Sequence, residues 1–218
     1  MFLFYTTYMR DNKRIILEEI GNSVTHGLGI SLIIIGILFF IFSHKPVIGI
    51  EKIIGLTIFF SCLLLTYIIS TLFHSLVFTK AKHVFIILDH CSIFLLIAGT
   101  YTPFILLSLK GYLWMICLSI FWTITVTSIV LKAVFFNKLK ALSLATYLIL
   151  GWSIVLIAKP LSSSLILPVA LLLLAGGVSY TCGVPFFVNK KIPFNHMIWH
   201  LFVLMGSIFH FLAVYYFI

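Results

Sequence analysis

The stretch HMIWHLFVLMGSIFHFLAVYYF, residues 196–217, contains no Asp, Glu, Lys or Arg. A helix of ~20 mostly apolar residues crosses the hydrocarbon core of a bilayer, and this stretch has that length. Its first five residues put His196 and His200 one helical turn apart at the membrane edge of the run. An apolar chain can place aromatics almost anywhere. It has much less reason to place two imidazoles there.

The rest of the chain has the same character. Of its 218 residues 62% are hydrophobic and 9% charged, and the mean hydropathy is +1.25. That profile belongs to a polytopic membrane protein. Seven spans can be marked, at about 24–43, 51–73, 84–108, 112–131, 141–158, 164–187 and 196–217. The fifth is short, and the third and sixth are long. A transmembrane barrel would instead show ~10-residue alternating segments, which the sequence lacks. The expected fold is an all-α membrane protein, a seven-transmembrane helix bundle forming a single domain over 1–218. Residues 13–23 read as an interfacial helix leading into the first span, so 1–23 form an N-terminal interfacial segment. The opening MFLFYTTYM is too short for a span, and it precedes the basic residues, the wrong order for a signal peptide.

The formal net charge of +9 does not indicate nucleic acid, because the basic residues are spread over the loops. With the N-terminus cytoplasmic, Arg10, Lys13, Arg14, Lys80, Lys82, Lys132, Lys138, Lys140, Lys190 and Lys191 fall on that side. Lys45, Lys52, Lys110 and Lys159 fall on the other. Ten against four satisfies the positive-inside rule with the N-terminus cytoplasmic and the C-terminus outside. The expected location is the cell (inner) membrane, as a multi-pass protein.

Ionisable groups inside spans are expensive and mark candidate functional sites. The acids are Asp11, Glu18, Glu19, Glu51 and Asp89, and of these Asp89 lies within a well-bounded span. In the topology above, His74 at the end of the second span, Asp89 near the start of the third, and His196 and His200 at the start of the seventh share one depth on the cytoplasmic side. His196 and His200 at i and i+4 share a helix face, as do Ser70 and His74. Glu19, Asn22 and His26, at i, i+3 and i+7, form another such face.

Zn²⁺ suits three imidazoles: a catalytic zinc takes three protein ligands and leaves a fourth position for water. His74, His196 and His200 could supply them. Asp89 could accept the water's proton, and Ser70 could hydrogen-bond the water or a substrate carbonyl. Two histidines with Asp89 would suit iron, so the metal stays open at this point. An isolated HxxxH is more often packing than metal, and Asp89 could be a structural partner of a lysine or of His26. His44 and His83 read as solvated at the interfaces. His90, about 100° round the helix from Asp89, reads as a contact to a neighbouring helix. His210 reads as hydrogen-bonded between helices, and His26 as supporting the site rather than binding metal. The cysteines, Cys62, Cys91, Cys117 and Cys182, read as small buried hydrophobes. The Gly99–Pro103 run is expected to bend its helix, and Gly176 and Gly177 to allow close helix approach.

The motifs Glu19-x2-Asn22-x3-His26-Gly27, Ser70-x3-His74, Asp89 followed by Ala98-Gly99-Thr100-Tyr101-Thr102-Pro103, and His196-x3-His200 together resemble the hemolysin III family. That is the bacterial branch of the progestin and adipoQ receptor (PAQR) superfamily, itself similar to the alkaline ceramidases. The resemblance runs from the first span to the seventh. It implies a seven-helix bundle with an intramembrane zinc site near the cytoplasmic face. The implied ligands are His74, His196 and His200, with Asp89 and Ser70 holding the zinc-bound water and Glu19, Asn22 and His26 behind them. Relatives in the receptor and ceramidase branches are associated with hydrolysis of a lipid amide.

Three functions follow as expectations. The first is a zinc-dependent hydrolase of lipid amides or esters, with a membrane lipid as substrate. The second is a sensor or regulator of membrane lipid whose zinc is structural. The third is cytolytic (hemolysin) activity through membrane disruption or a pore. A pore needs polar stripes along its helices, whereas the polar residues here gather at one end.

Overall fold

A computed structural model describes residues 2–43, 49–136, 138, 140–162 and 164–218, with side chains from Lys13 onward except those of Ser43, Lys140 and Ala141. His44 and Lys45 lie outside the described residues. The elements are α1 (Phe2–Ser43), α2 (Ile50–Ser75), α3 (Lys82–Ser108), α4 (Leu113–Val134), α5 (Lys140–Trp152), a 3₁₀ turn (Ser153–Ile157), α6 (Ala158–Ser162), α7 (Leu167–Val188) and α8 (Asn195–Phe217). No strand occurs among the described residues. Among the described residues, seven segments are long and apolar enough to cross a membrane: Lys13–Phe42, Ile50–Ser75, Lys82–Ser108, Leu113–Val134, Leu142–Ser162, Leu167–Val188 and Asn195–Phe217. Helix α1 runs without a break from the expected interfacial segment into the first span.

The fifth span is the irregular one. It begins as α5, tightens into the 3₁₀ turn and ends as α6. Two residues explain this. Pro160 has no N–H to donate to the carbonyl four residues earlier. The Tyr101 hydroxyl of α3 donates to the Gly151 carbonyl, taking an acceptor that a continuous α-helix would use for itself.

Helix α2 packs between α1 and α3, and α8 packs between α1 and α7. Helix α4 lies on α3, and α5 closes the ring between α3 and α7. One apolar core joins α1, α2, α3, α7 and α8 through Phe40, Phe59, Tyr67, Phe104, Val169 and Val203. A second joins α3, α4, α5 and α6 through Phe94, Tyr101, Phe121, Leu150 and Leu161. Large apolar side chains such as Phe42 and Leu156 point outward, more than four-fifths exposed at 83% and 85%, as lipid-facing positions require.

Small residues set the helix spacing, as is common where helices associate within a bilayer. A Cβ on Gly21 would fall 2.7 Å from Met197 Sδ, one on Gly29 would fall 2.3 Å from the Tyr67 ring, and one on Gly36 would fall 2.9 Å from the Phe211 ring. These glycines recur at intervals of eight and seven residues, which keeps them on one face of α1. That face lies against α2 and α8 and brings the polar end of α1 onto the histidines. Of the expected pair on α7, Gly176 is the close contact, with a Cβ position 2.3 Å from His210 Nε2, while Gly177 meets Trp152 at an ordinary 3.7 Å. Helix α3 continues through Pro103 to Ser108. Its glycine-proline run packs tightly on α2, where a Cβ on Gly99 would lie 2.5 Å from Cys62 Cβ.

Cys62, Cys91 and Cys117 are buried as expected, but Cys182 is exposed. It lies on a turn of α7 that faces away from the bundle, so that expectation is corrected.

Candidate metal centre

The end of α2, the start of α3, the start of α8 and the Glu19–His26 segment of α1 meet at one end of the bundle. His74 is in the last turn of α2, and the first turns of α8 carry His196 and His200. One ligand nitrogen from each of these histidines lies within 4.8 Å of the other two. The ring centroids are 5.0 Å apart for His74–His196, 4.9 Å for His74–His200 and 4.6 Å for His196–His200. Three imidazoles this close could bind a metal ion.

The start of α8 is fixed by side chains. Phe194 adopts the left-handed conformation at φ 55°, a strained position for a bulky residue. Its backbone N–H donates to Glu18 Oε1 at 3.2 Å, and Asn195 Nδ2 donates to the Phe186 carbonyl at 2.9 Å. The first turn of α8 is thereby tied to α1 and α7. Arg14 Nε donates to the same Glu18 oxygen at 2.9 Å.

The rings are oriented from α1. His74 Nδ1 lies 2.6 Å from Glu19 Oε2. A carboxylate oxygen accepts, so Nδ1 carries the proton and the lone pair lies on Nε2. His200 Nδ1 lies 3.2 Å from the Asn22 carbonyl and 3.2 Å from Thr25 Oγ1, and Thr25 itself donates to the Asn22 carbonyl at 2.8 Å. The Nε2 atoms of His74 and His196 are buried with no hydrogen-bond partner among the described residues. Buried polar atoms are ordinarily satisfied. Unpartnered ring nitrogens in a cluster of three histidines could take a metal ion in place of hydrogen-bond partners.

His26 stacks on His200 with centroids 3.6 Å apart and touches Tyr67 at 4.8 Å. Both of its ring nitrogens lack partners, as does Ser70 Oγ. His26, Ser70, Asp89, His196 and His200 line an internal cavity of about 100 Å³ whose wall also includes Tyr101, Trp152 and His210. His210 lies ten residues along α8 from His200, a rise of ~15 Å. Asp89 is at the cavity wall but is not one of the clustered donors. Its Oδ2 lies 3.9 Å from His90 Nδ1. His90 meets Phe136 beyond α4 and Phe187 of α7, the neighbouring-helix contact expected. His83 is exposed, and His210 Nε2 reaches the Leu173 carbonyl of α7 at 3.3 Å.

The structure thus clusters His74, His196 and His200, sets Glu19, Asn22 and His26 in contact with them, and has Ser70 and Asp89 lining the cavity that His196 and His200 also line. The sequence reading missed Thr25, beside His200, and Tyr67, which is fully buried against His26 and donates to Ser207 Oγ at 2.9 Å. Tyr67 shares a face with Ser70 and His74 at i, i+3 and i+7, a spacing that could have flagged it. Lys132 is buried with its ammonium 4.7 Å over Phe136. Lys190, in the loop between α7 and α8, sits 5.1 Å over Phe187, and partial burial lowers its pKa from the ordinary lysine value.

A family model described as Haemolysin-III related matches residues 15–211. The chain is 40% identical over 213 residues to a protein called Hemolysin-3 from Bacillus cereus, covering 98% of this chain and 97% of that one. It is 43% identical over 199 residues to a Hemolysin-3 homolog from Bacillus subtilis (strain 168), covering 91% and 93%. It is also 30% identical over 154 residues to the human Monocyte to macrophage differentiation factor, covering 68% and 63%.

Proposed function

The chain belongs to the haemolysin-III related family of multi-pass membrane proteins, and from that premise we propose that it is a zinc-dependent membrane hydrolase of lipid amides or esters. The observation that carries this reading is the junction of the three-histidine cluster with a cavity lined by Asp89 and Ser70. His74, His196 and His200 would hold the metal. The donor set fits: all three are imidazoles, and two of their Nε2 atoms are buried and unpartnered. When bound, zinc supplies a Lewis acid that polarises a carbonyl and lowers the pKa of water toward ~7.

The chain's own groups do the rest. The apolar part of the cavity, toward Leu96, Leu148 and Val203, takes an acyl chain and keeps bulk water from the carbonyl. Ser70 Oγ, buried and unpartnered, donates a hydrogen bond to the carbonyl oxygen as charge develops there. Asp89 takes a proton from the attacking water and returns it to the leaving nitrogen or oxygen as the C–N or C–O bond breaks.

Among the described residues the cluster has three protein donors, with Asp89 and Glu19 outside it. Three donors match the open catalytic pattern, and four would match a closed structural site. This favours catalysis over a zinc staple that only ties α2 to α8. The relatives' printed names attach haemolysis to those proteins. In this chain the three clustered histidines lie together at one end of the bundle, which supports hydrolysis over a conducting pore.

The test is elemental analysis of detergent-purified protein, wild type beside His196→Ala/His200→Ala. One zinc per chain, lost in the double variant, establishes the site. No stoichiometric metal in protein never exposed to chelator rejects it. With metal established, Asp89→Ala should abolish turnover of a lipid-amide substrate while retaining zinc, and surviving turnover would remove Asp89 from the mechanism.

A further inference from the structure

We propose that Glu19 is the positioning residue for the metal ligand His74, and that through it α1, which contributes no ligand, sets the metal affinity of the histidine cluster. The proposal rests on the metal reading above. His74 Nδ1 and Glu19 Oε2 are 2.6 Å apart, the short distance of a charge-assisted hydrogen bond. Three properties of the ring follow from this one contact. The proton is fixed on Nδ1, the ring's rotation is fixed, and the Nε2 lone pair is left free. That Nε2 is buried without a partner, and His74 stands against both His196 and His200.

His200 is treated the same way, with a weaker acceptor. Its Nδ1 meets the Asn22 carbonyl of α1 at 3.2 Å. Two of the three clustered histidines thus have their second nitrogen engaged by one turn of α1. The division of labour between the adjacent acids supports the assignment. Glu18 is occupied by Arg14 and by the Phe194 N–H, so its carboxylate secures the start of α8. Glu19 faces the other way and spends its charge on His74. The pairing is also asymmetric in burial: the His74 side chain is 2% exposed and that of Glu19 is 22% exposed. The carboxylate reaches in from the rim of the bundle to a ring that has left solvent.

A carboxylate behind a metal-bound imidazole raises the basicity of the ligand as well as orienting it. Loss of such a partner typically weakens metal affinity about 10- to 100-fold. Glutamine at position 19 can still accept from Nδ1–H, so Glu19→Gln removes the charge and keeps the orientation. Glu19→Ala removes both.

The experiment uses the full chain in detergent, as wild type, Glu19→Gln, Glu19→Ala and Glu51→Gln. Glu51 is an exposed carboxylate in the first turn of α2, at the opposite end from His74. Zinc affinity is read by competition with a chromophoric chelator, the ligand field by the visible spectrum of the cobalt-loaded protein, and folding by the melting temperature of the metal-free protein. The expected result is a loss of about 10-fold in Glu19→Gln and about 100-fold in Glu19→Ala, with an altered cobalt spectrum in Glu19→Ala and wild-type behaviour in Glu51→Gln. Wild-type affinity and spectrum in both Glu19 variants overturn the proposal and leave the metal site standing. A lower metal-free melting temperature with an unchanged cobalt spectrum and unchanged affinity also overturns it, since Glu19 would then only tether α1 to α2. If Glu19→Ala does not fold, Glu19→Gln decides the question alone. A wild-type protein that binds neither zinc nor cobalt removes both the metal reading and this one.

Discussion

His26 lies flat on His200, with ring centroids 3.6 Å apart and planes 13° from parallel. It also meets Tyr67 at 4.8 Å, so the imidazole is a wedge joining α1, α2 and α8 against the histidine cluster. Its nitrogens bond nothing among the described residues, which leaves packing as its visible contribution to stability. His26→Ala should open a gap behind His200 and destabilise the fold by on the order of 2 kcal/mol. His26→Phe, which keeps a flat ring there, should recover most of that. Thermal unfolding in detergent checks both, and equal melting temperatures for wild type and His26→Ala would show that the stack contributes nothing.

Gly176 predicts an overpacking effect deep in the bundle. A methyl group there would fall 2.3 Å from His210 Nε2, so the ring must shift to admit it. The same nitrogen bonds the Leu173 carbonyl. Gly176→Ala should therefore cost about 1–3 kcal/mol and lower the melting temperature. Gly177→Ala, whose Cβ position finds Trp152 at 3.7 Å, should be close to neutral. Equal effects of the two would contradict the close α7–α8 contact at Gly176.

The 3₁₀ turn in the fifth span makes a prediction about Tyr101. Its hydroxyl holds the Gly151 carbonyl outside the helix ladder. Tyr101→Phe removes that donor and keeps the ring against Phe121. The net loss should be about 1 kcal/mol. The Val155 N–H should then shift from its acceptor three residues back in the 3₁₀ turn to the released Gly151 carbonyl, and hydrogen exchange at that amide should change. Unchanged exchange there would mean that Pro160 alone causes the turn.

Much of the site was legible because bilayer physics restricts where polar groups can sit. The charge count placed His74, Asp89, His196 and His200 at one depth, and helical spacing put His196 with His200 and Glu19 with His26. That required no knowledge of how the helices pack. What stayed hidden depended on packing. Spacing shows that Glu19, Asn22 and His26 share a face but not which neighbour the face meets, so the Glu19–His74 bond and the His26–His200 stack were invisible. The recurring Gly21, Gly29 and Gly36 were the missed clue to that docking. The break after Trp152 was hidden for a related reason: half of its cause, the Tyr101 hydroxyl, comes from another helix. Cys182 misled because residence in a span says nothing about which way a side chain points.

Metal removal gives the most direct prediction for the assembled site. The three clustered histidines come from the end of α2 and the start of α8, so an ion bound by all three would add a second link between two helices already joined by the Tyr67–Ser207 hydrogen bond. An ion that binds the folded state and not the unfolded one stabilises by RT ln(1 + [L]/Kd), about 2.7 kcal/mol at a hundredfold excess over Kd. Wild-type protein should lose melting temperature on treatment with chelator and regain it on readdition of zinc. His196→Ala/His200→Ala should melt at one temperature with or without chelator. His74→Ala should behave like the double variant, because the third ligand from α2 is what makes the ion a link between helices. If His74→Ala kept a full chelator response, the ion would sit on α8 alone through the His196/His200 pair, and the convergence of α2 and α8 would have no part in binding it.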